Sequence, residues 1–150
     1  MQRKAEKKLA KINGKKFKLA VVVSRFNRDI TSKMLQGALQ TLKKNSVLEK
    51  NIEVVWVPGS FEIPLACQKL ALSKKYQALV ALGCVIKGET DHYYYVAQET
   101  SRGVMRVMLD SSLPIGFGVI TTNNLKQAKE RSSGKKNKGS EAAQAALEMI

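Results

Sequence analysis

The sequence predicts an α/β protein of three layers, in which helices cover both faces of a mainly parallel sheet. Three observations lead to this fold. Four short apolar runs rich in β-branched residues recur along the chain, segments with helical spacing separate them, and the connections are short. Continuous apolar runs are typical of strands buried on both faces. Alternation of such strands with helices indicates parallel pairing through right-handed crossovers.

Each strand is predicted from one apolar run. Gly83 interrupts the third run without adding a polar side chain, so we keep that run as a single strand. The four predicted strands span residues 19–23, 52–57, 78–86 and 115–120. With helices on both faces, the sheet is predicted to have the flavodoxin-like αβα arrangement.

Five helices are predicted between and after the strands. The first carries apolar residues at four-residue intervals from Ile30, with Asp29 or Thr31 as its N-cap and Asn45 at its end. Ser140 is expected to cap the last helix. The remaining helices are predicted over residues 61–73, 95–109, 124–131 and 141–150.

Composition removes several classes of protein. A chain of 150 residues buries roughly 70% of the surface that its unfolded form exposes, so one domain over residues 17–150 forms a core without disulfides or metals. Cys67 and Cys84 have neither disulfide nor zinc-site spacing, and we expect no metal and a cytoplasmic location. No apolar run approaches the ~20 residues that cross a bilayer, so no membrane association is expected. We also expect no signal peptide.

The net charge of +14 is concentrated in two segments. Residues 1–18 hold eight basic side chains and one acidic one, and residues 126–138 hold six and one. Residues 1–16 of the first segment are predicted to be a basic tail, which either binds nucleic acid or is only solvated. The second lies inside the folded pattern, where clustered positive charge favours an anionic ligand or partner.

Ligands of parallel α/β sheets bind beyond the carboxyl ends of the strands. In this chain those ends precede residues 24–28, 58–62, 87–92 and 121–124. Residues 83–90 resemble a phosphate-binding loop, but Glu89 occupies the position where that motif needs a lysine, so nucleotide hydrolysis is not expected. The turn after Gly88 leads into a helix around Thr90, and free amides at a helix N-terminus attract anions such as a phosphate monoester.

The only histidine and two phenylalanines also lie at these strand ends. His92 follows the third strand, and an imidazole gives and takes protons near neutral pH, although a lone histidine is also compatible with a structural role. Phe26 and Phe61 follow neighbouring strands, where they are suited to holding a flat ring of a ligand between them. Alternatively, one of them only fills the space between the loops. Glu62 either compensates a helix dipole or binds hydroxyl groups.

Five motifs occur in an order and at intervals that resemble those of the lumazine synthases. They cover most of the chain, from about residue 17 to residue 149. The motifs are VSRFN at 23–27, WVPGSFEIP at 56–64, LGCVIKGETDHY at 82–93, GFGVITT at 116–122, and QAKER at 127–131 leading to NKG at 137–139. The acids Glu89 and Asp91 depart from the pattern of many relatives and add negative charge beside the expected phosphate site.

The resemblance implies a transferase of riboflavin biosynthesis that uses no cofactor and no metal. It would condense 5-amino-6-ribitylamino-uracil with 3,4-dihydroxy-2-butanone 4-phosphate, and release 6,7-dimethyl-8-ribityllumazine, phosphate and water. His92 would move protons. The substrate-binding residues implied in this way are Phe26, Ser60, Phe61, Glu62, Val85, Ile86, Phe117 and Lys138, and the phosphate-binding residues are Gly88, Glu89, Thr90 and Arg131.

The resemblance also implies a homo-oligomer, either a pentamer or a 60-subunit shell of pentamers, and riboflavin synthase as a further partner. Active sites would lie between subunits, with Phe117, Arg131 and Lys138 contributed by the neighbour of the chain that carries the other residues. Gly116 and Gly118 on either side of Phe117 leave room for another backbone to approach closely.

Two other functional classes compete with this interpretation. One is a flavodoxin-like module that binds flavin or a phosphate ligand without turnover, and the other is a nucleic-acid binder. A binding module has no need of a proton carrier such as His92 at this position. A nucleic-acid binder would spread basic and aromatic residues over one face, whereas the body of this chain is nearly neutral.

Overall fold

The computed structural model describes residues 11–150, so the first ten residues of the predicted basic tail lie outside the described part. Four strands form one all-parallel sheet: β1 (Leu19–Ser24), β2 (Ile52–Val57), β3 (Ala78–Ile86) and β4 (Ile115–Thr122). Their order in the sheet is β2-β1-β3-β4. All four predicted strands are confirmed, and β1 and β4 each extend slightly beyond the predicted end.

Five α-helices cover the two faces of this sheet, as the sequence predicts. They are α1 (Arg28–Lys44), α2 (Ile63–Leu72), α3 (His92–Ser111), α4 (Leu125–Arg131) and α5 (Lys138–Glu148). One core lies between the sheet and the layer of α1 and α5, and includes Met34 and Leu147. A second core lies on the opposite face against α2 and α3, and includes Cys67 and Val104. The fold is therefore the three-layer flavodoxin-like sandwich that the sequence predicts. None of the helices among residues 11–150 is long and apolar enough to cross a membrane.

Two predicted helix caps are wrong. At α1 the N-cap is Asn27, in the left-handed conformation at φ 58°, while the Thr31 hydroxyl instead donates to the Ser24 carbonyl at 2.7 Å. At α5 the cap is Asn137, whose side-chain oxygen accepts from the amides of Gly139 and Ser140. A side chain caps only from a position just outside the first turn, and Ser140 lies inside that turn.

The start of α3 also differs from the prediction, because the helix begins at His92 and not at residue 95. Tyr94 and Tyr95 in its first turn are exposed, so the first turn shows no buried face by which helical spacing could be recognised. The observed start agrees with the helix expected around Thr90 after the Gly88 turn, and it places His92 at the first residue of α3.

Replacing Gly139 by Ala is expected to destabilise the protein by about 1–3 kcal/mol. A Cβ atom at Gly139 would lie 1.9 Å from the Met34 carbonyl oxygen, and this backbone atom has no rotamer to escape into. Urea denaturation measures the free energy of unfolding. Ser140→Ala, a neighbouring change that adds no bulk, should stay within about 0.5 kcal/mol of wild type. Equal stability of G139A and wild type would contradict the close contact of α1 with α5.

Candidate functional site

A cavity of about 650 Å³ lies beyond the carboxyl ends of β1, β2 and β3. It is open on one side, and the first turn of α3 forms part of its wall. Of the sequence-predicted site residues, nine line it: Phe26, Ser60, Phe61, Glu62, Val85, Ile86, Gly88, Thr90 and His92. The three loops that follow neighbouring parallel strands therefore converge where the strand order predicts a ligand site.

The loop that carries Phe26 is held by its own backbone and by one side chain. The Arg25 amide donates to the Val57 carbonyl at 2.8 Å, and the Phe26 amide donates to the Pro58 carbonyl at 3.1 Å. The Asn27 side chain then donates to the Cys84 carbonyl at 2.9 Å and ties this loop to β3. The Phe26 ring itself remains 70% exposed, so the loop is fixed while its aromatic face is free for a ligand.

The turn that carries Phe61 and Glu62 is a short 3₁₀ helix, Ser60–Glu62, which leads into α2. Its Ser60 carbonyl accepts a hydrogen bond from the buried Thr100 hydroxyl of α3 at 3.1 Å. Close packing at Gly83 of β3 brings the turn down onto the sheet, because a Cβ atom there would lie 2.5 Å from the Ser60 Oγ atom. The Phe61 ring stays 59% exposed at the cavity mouth.

His92 is exposed at the first position of α3, and its amide lies 3.4 Å from the Thr90 hydroxyl oxygen. Gly88 and Thr90 line the same cavity, so an anion there would face the segment that leads into a 20-residue helix. Glu89 is exposed and is absent from the cavity lining. Glu89 belongs to the predicted phosphate-binding segment, but its carboxylate is therefore not part of the cavity wall.

The thiols have no place in the chemistry of this cavity. Burial raises the pKa of Cys67 to about 12, and burial together with the charge of Asp29 raises that of Cys84 to about 12. A neutral, buried thiol is a poor nucleophile. Lys87 is also poorly suited to release a proton. Its ammonium lies 5.4 Å from the centre of the Tyr94 ring, and a hydrogen bond with the Tyr94 hydroxyl raises the pKa of Lys87. His92 is thus the side chain of this wall best suited to accept and return a proton.

Arg131 and Lys138 line a different groove, of about 770 Å³, formed by the helices α1, α4 and α5 and the connection before α5. The Arg131 guanidinium donates to the Gln127 carbonyl at 3.1 Å, and the Lys138 ammonium contacts the Glu141 carboxylate at 2.8 Å. Lys135 and Lys136 line the same groove, so four of the six cations of the predicted basic segment gather there. A single chain does not bring these cations into the cavity that holds His92.

Phe117 is also separate from that cavity, and its ring is 46% exposed on the edge strand β4. The glycines beside it have a different role from the one expected. A Cβ atom at Gly116 would lie 2.0 Å from the Ala142 carbonyl oxygen, and one at Gly118 would lie 3.0 Å from the Ala142 Cβ atom. The space at these glycines is filled by α5 of the same chain, so they give no support for a neighbouring subunit.

Several residues of the cavity wall were missed by sequence reasoning. They are Pro58, Gly59, Cys84, Tyr93, Tyr95 and Val96. The apolar spacing predicts a helix from residue 95, so Tyr93 precedes that helix and Tyr95 begins it. Because α3 begins at His92, both tyrosines lie in its first turn, beside the cavity. Thr100 was missed as well, because nothing in the local sequence indicates its hydrogen bond to a residue 40 positions away.

Two comparisons with known proteins bear on this chain. A family model described as 6,7-dimethyl-8-ribityllumazine synthase matches residues 16–150. Among solved structures, a de novo designed Rossmann fold protein is similar, with 15% sequence identity and a TM-score of 0.43, over 75% of this chain and 91% of its own.

Proposed function

Since the chain belongs to the 6,7-dimethyl-8-ribityllumazine synthase family, we propose that the cavity around His92 is one half of its active site. The reaction itself follows from the family: 5-amino-6-ribitylamino-uracil condenses with 3,4-dihydroxy-2-butanone 4-phosphate to 6,7-dimethyl-8-ribityllumazine, releasing phosphate and water. The chain is thus a transferase of riboflavin biosynthesis. The observation that supports the site is the convergence of nine expected residues on one cavity.

Each group has a role that fits its surroundings. The exposed rings of Phe26 and Phe61 hold the flat pyrimidine between them at the mouth. Backbone hydrogen bonds to the ring and the ribityl chain come from two places in the cavity wall, the Ser60–Phe61 turn and the end of β3 at Val85 and Ile86. Glu62 accepts hydrogen bonds from ribityl hydroxyls, for which a carboxylate supplies two acceptor oxygens.

The phosphate of the second substrate lies at the segment Gly88–Thr90 that leads into α3. Phosphate is the leaving group, so fixed positive charge and free amides stabilise the negative charge that develops as the carbon–oxygen bond breaks. His92 accepts and returns protons during imine formation, phosphate elimination and ring closure. Much of the rate acceleration comes from holding the two reactants together.

The second half of the site comes from a neighbouring subunit, which contributes Phe117, Arg131 and Lys138. Two features support this. These three residues do not line the cavity of their own chain, and the cavity mouth carries exposed apolar residues that a partner would cover. A contact between two different surfaces of the same chain is heterologous and closes by rotation into a ring. We propose a pentamer as the minimal assembly.

Three further points remain predictions. They are the choice between a pentamer and a 60-subunit shell, an association with riboflavin synthase, and a cytoplasmic location. Sedimentation velocity distinguishes the two assemblies directly, because their masses differ twelve-fold by subunit number. Two more points stay proposals. The single domain over residues 17–150 is tested by the activity of a chain that lacks residues 1–16, and the lack of a cofactor is tested by the activity of dialysed enzyme.

Mixing two impaired variants, assayed at a butanone phosphate concentration too low to saturate Arg131→Ala, is expected to restore activity if the site is shared. Phe26→Asp disables the half that holds the ring, and Arg131→Ala disables the half that holds phosphate. After dissociation and reassembly, a fraction of interfaces will pair two intact halves. The measurement is the absorbance of the lumazine product, with each variant reassembled alone as the control.

Two results would contradict the shared site. One is an active monomer in sedimentation. The other is a reassembled mixture that stays inactive although sedimentation shows that mixed rings have formed.

A further inference from the structure

The buried hydroxyl of Thr100 joins the helix of His92 to the turn that carries Phe61. Thr100 is fully buried in the third turn of α3, and its Oγ1 atom donates to the Ser60 carbonyl at 3.1 Å. Threonine within a helix usually turns its hydroxyl back to a carbonyl of the preceding turn. Here the hydrogen bond leaves the helix and reaches a residue 40 positions earlier in the chain.

The Ser60 carbonyl is held from two sides. It accepts from the Ile63 amide inside its own turn as well as from Thr100, and a carbonyl oxygen has two lone pairs to offer. A trans peptide is planar, so the N–H of Phe61 points away from the Ser60 carbonyl across the same plane. Fixing the direction of this carbonyl therefore fixes the direction of the Phe61 amide.

Packing near Thr100 prevents the helix and the turn from sliding past each other. Gly103, three residues further along α3, faces Pro64 so closely that a Cβ atom there would lie 2.7 Å from the Pro64 ring. Below the turn, Gly83 makes a similarly close approach to the Ser60 side chain. The turn is thus held between α3 and β3, and the Thr100 hydroxyl is its polar attachment to α3.

The same helix begins with His92. Thr100 lies eight positions after His92, a distance of about 12 Å along a helix axis. Because an α-helix of this length is stiff, the Thr100 hydrogen bond sets the position of the proton carrier relative to the Phe61 turn.

We propose that Thr100 is a positioning residue that orients the Ser60–Phe61 peptide toward the ribitylamino-uracil and aligns it with His92. The proposal rests on the assignment of Phe61 to that substrate. Thr100 touches neither substrate, because it is fully buried and absent from the cavity lining.

Thr100→Val tests this role, because valine keeps the shape of threonine and loses only the hydroxyl donor. We expect the KM for 5-amino-6-ribitylamino-uracil to rise about 3- to 10-fold, the equivalent of one lost hydrogen bond. The KM for the butanone phosphate should stay unchanged, because that substrate lies at Gly88–Thr90. Thr100→Ser, which retains a hydroxyl, should recover most of the loss. If T100V fails to fold, Thr100→Ala, which adds no bulk, replaces it with the same expected result.

Val107→Ala is the matched control for stability, since Val107 is buried on the same helix further from the cavity. This variant should lower Tm without changing either KM. Three outcomes would overturn the role of Thr100: an unchanged KM in T100V, an equal loss in T100V and T100S, or the same KM change in V107A. Phe61→Ala distinguishes a failure of the role proposed for Thr100 from a failure of the site assignment itself. If F61A also binds the uracil normally, the site assignment is wrong and the proposal fails with it.

Discussion

Replacing His92 by Ala is expected to lower turnover about 10²- to 10⁴-fold, the contribution typical of a general acid or base. Binding of a ribityl-pyrimidine analogue should change no more than a few-fold, because the role proposed for the imidazole is to move protons and not to hold the ring. Stopped-flow absorbance of the lumazine product gives the rate, and calorimetry with the analogue gives the affinity. His92 is exposed at the start of α3, so the substitution leaves no cavity in the core.

Tyr94→Phe is the control for a change in the same helical turn. Tyr94 is exposed and does not line the cavity, so turnover should remain close to wild type. External imidazole should restore part of the H92A rate, since a small base then reaches the vacated position. A rate of H92A equal to wild type at every pH would show that His92 has no catalytic role.

Arg131→Ala is expected to weaken binding of inorganic phosphate and of the butanone phosphate by about 10- to 100-fold, in line with the loss of a charge-assisted hydrogen bond. Binding of the pyrimidine analogue should change much less. The Arg131 side chain is only half-buried and contacts Gln127 and Glu130 of its own helix, so the fold should tolerate its removal. Calorimetry with each ligand in turn measures the difference.

Arg106→Ala removes the same charge at a distant surface. Arg106 is exposed on α3, 3.5 Å from Asp110, and its loss should leave phosphate binding unchanged. Equal weakening of phosphate and pyrimidine binding in R131A would mean that Arg131 is structural. An effect of R106A as large as that of R131A would attribute the result to net charge alone.

The sequence was sufficient to predict most of the secondary structure. The run over residues 78–86 was predicted with both ends correct, and Asn45 was correctly placed at the end of α1. Both depend on local features: an apolar run that only a doubly covered strand can bury, and a polar residue where helical spacing stops. The motif order likewise gave the family, which the match over residues 16–150 confirms.

Helix starts were predicted less well, for a physical reason. Whether Asn137 or Ser140 caps α5 depends on where Gly139 packs against the Met34 backbone. That contact joins segments about a hundred residues apart. The first turn of α3 could not be recognised from the sequence either. Two of its tyrosines are exposed, and the buried residues of this helix begin only at Thr100.

For the site, the sequence by itself determined which residues follow each strand, and the parallel sheet then brought Phe26, Phe61 and His92 to one cavity. The family resemblance implied that Arg131 and Lys138 lie outside this cavity in their own chain, and only the tertiary structure decided which groove they line. Tertiary structure alone also revealed the hydrogen bond from Thr100 to Ser60. Strand ends follow from local burial, whereas contacts between distant segments depend on how helices pack across the sheet, and no local pattern in the chain encodes that packing.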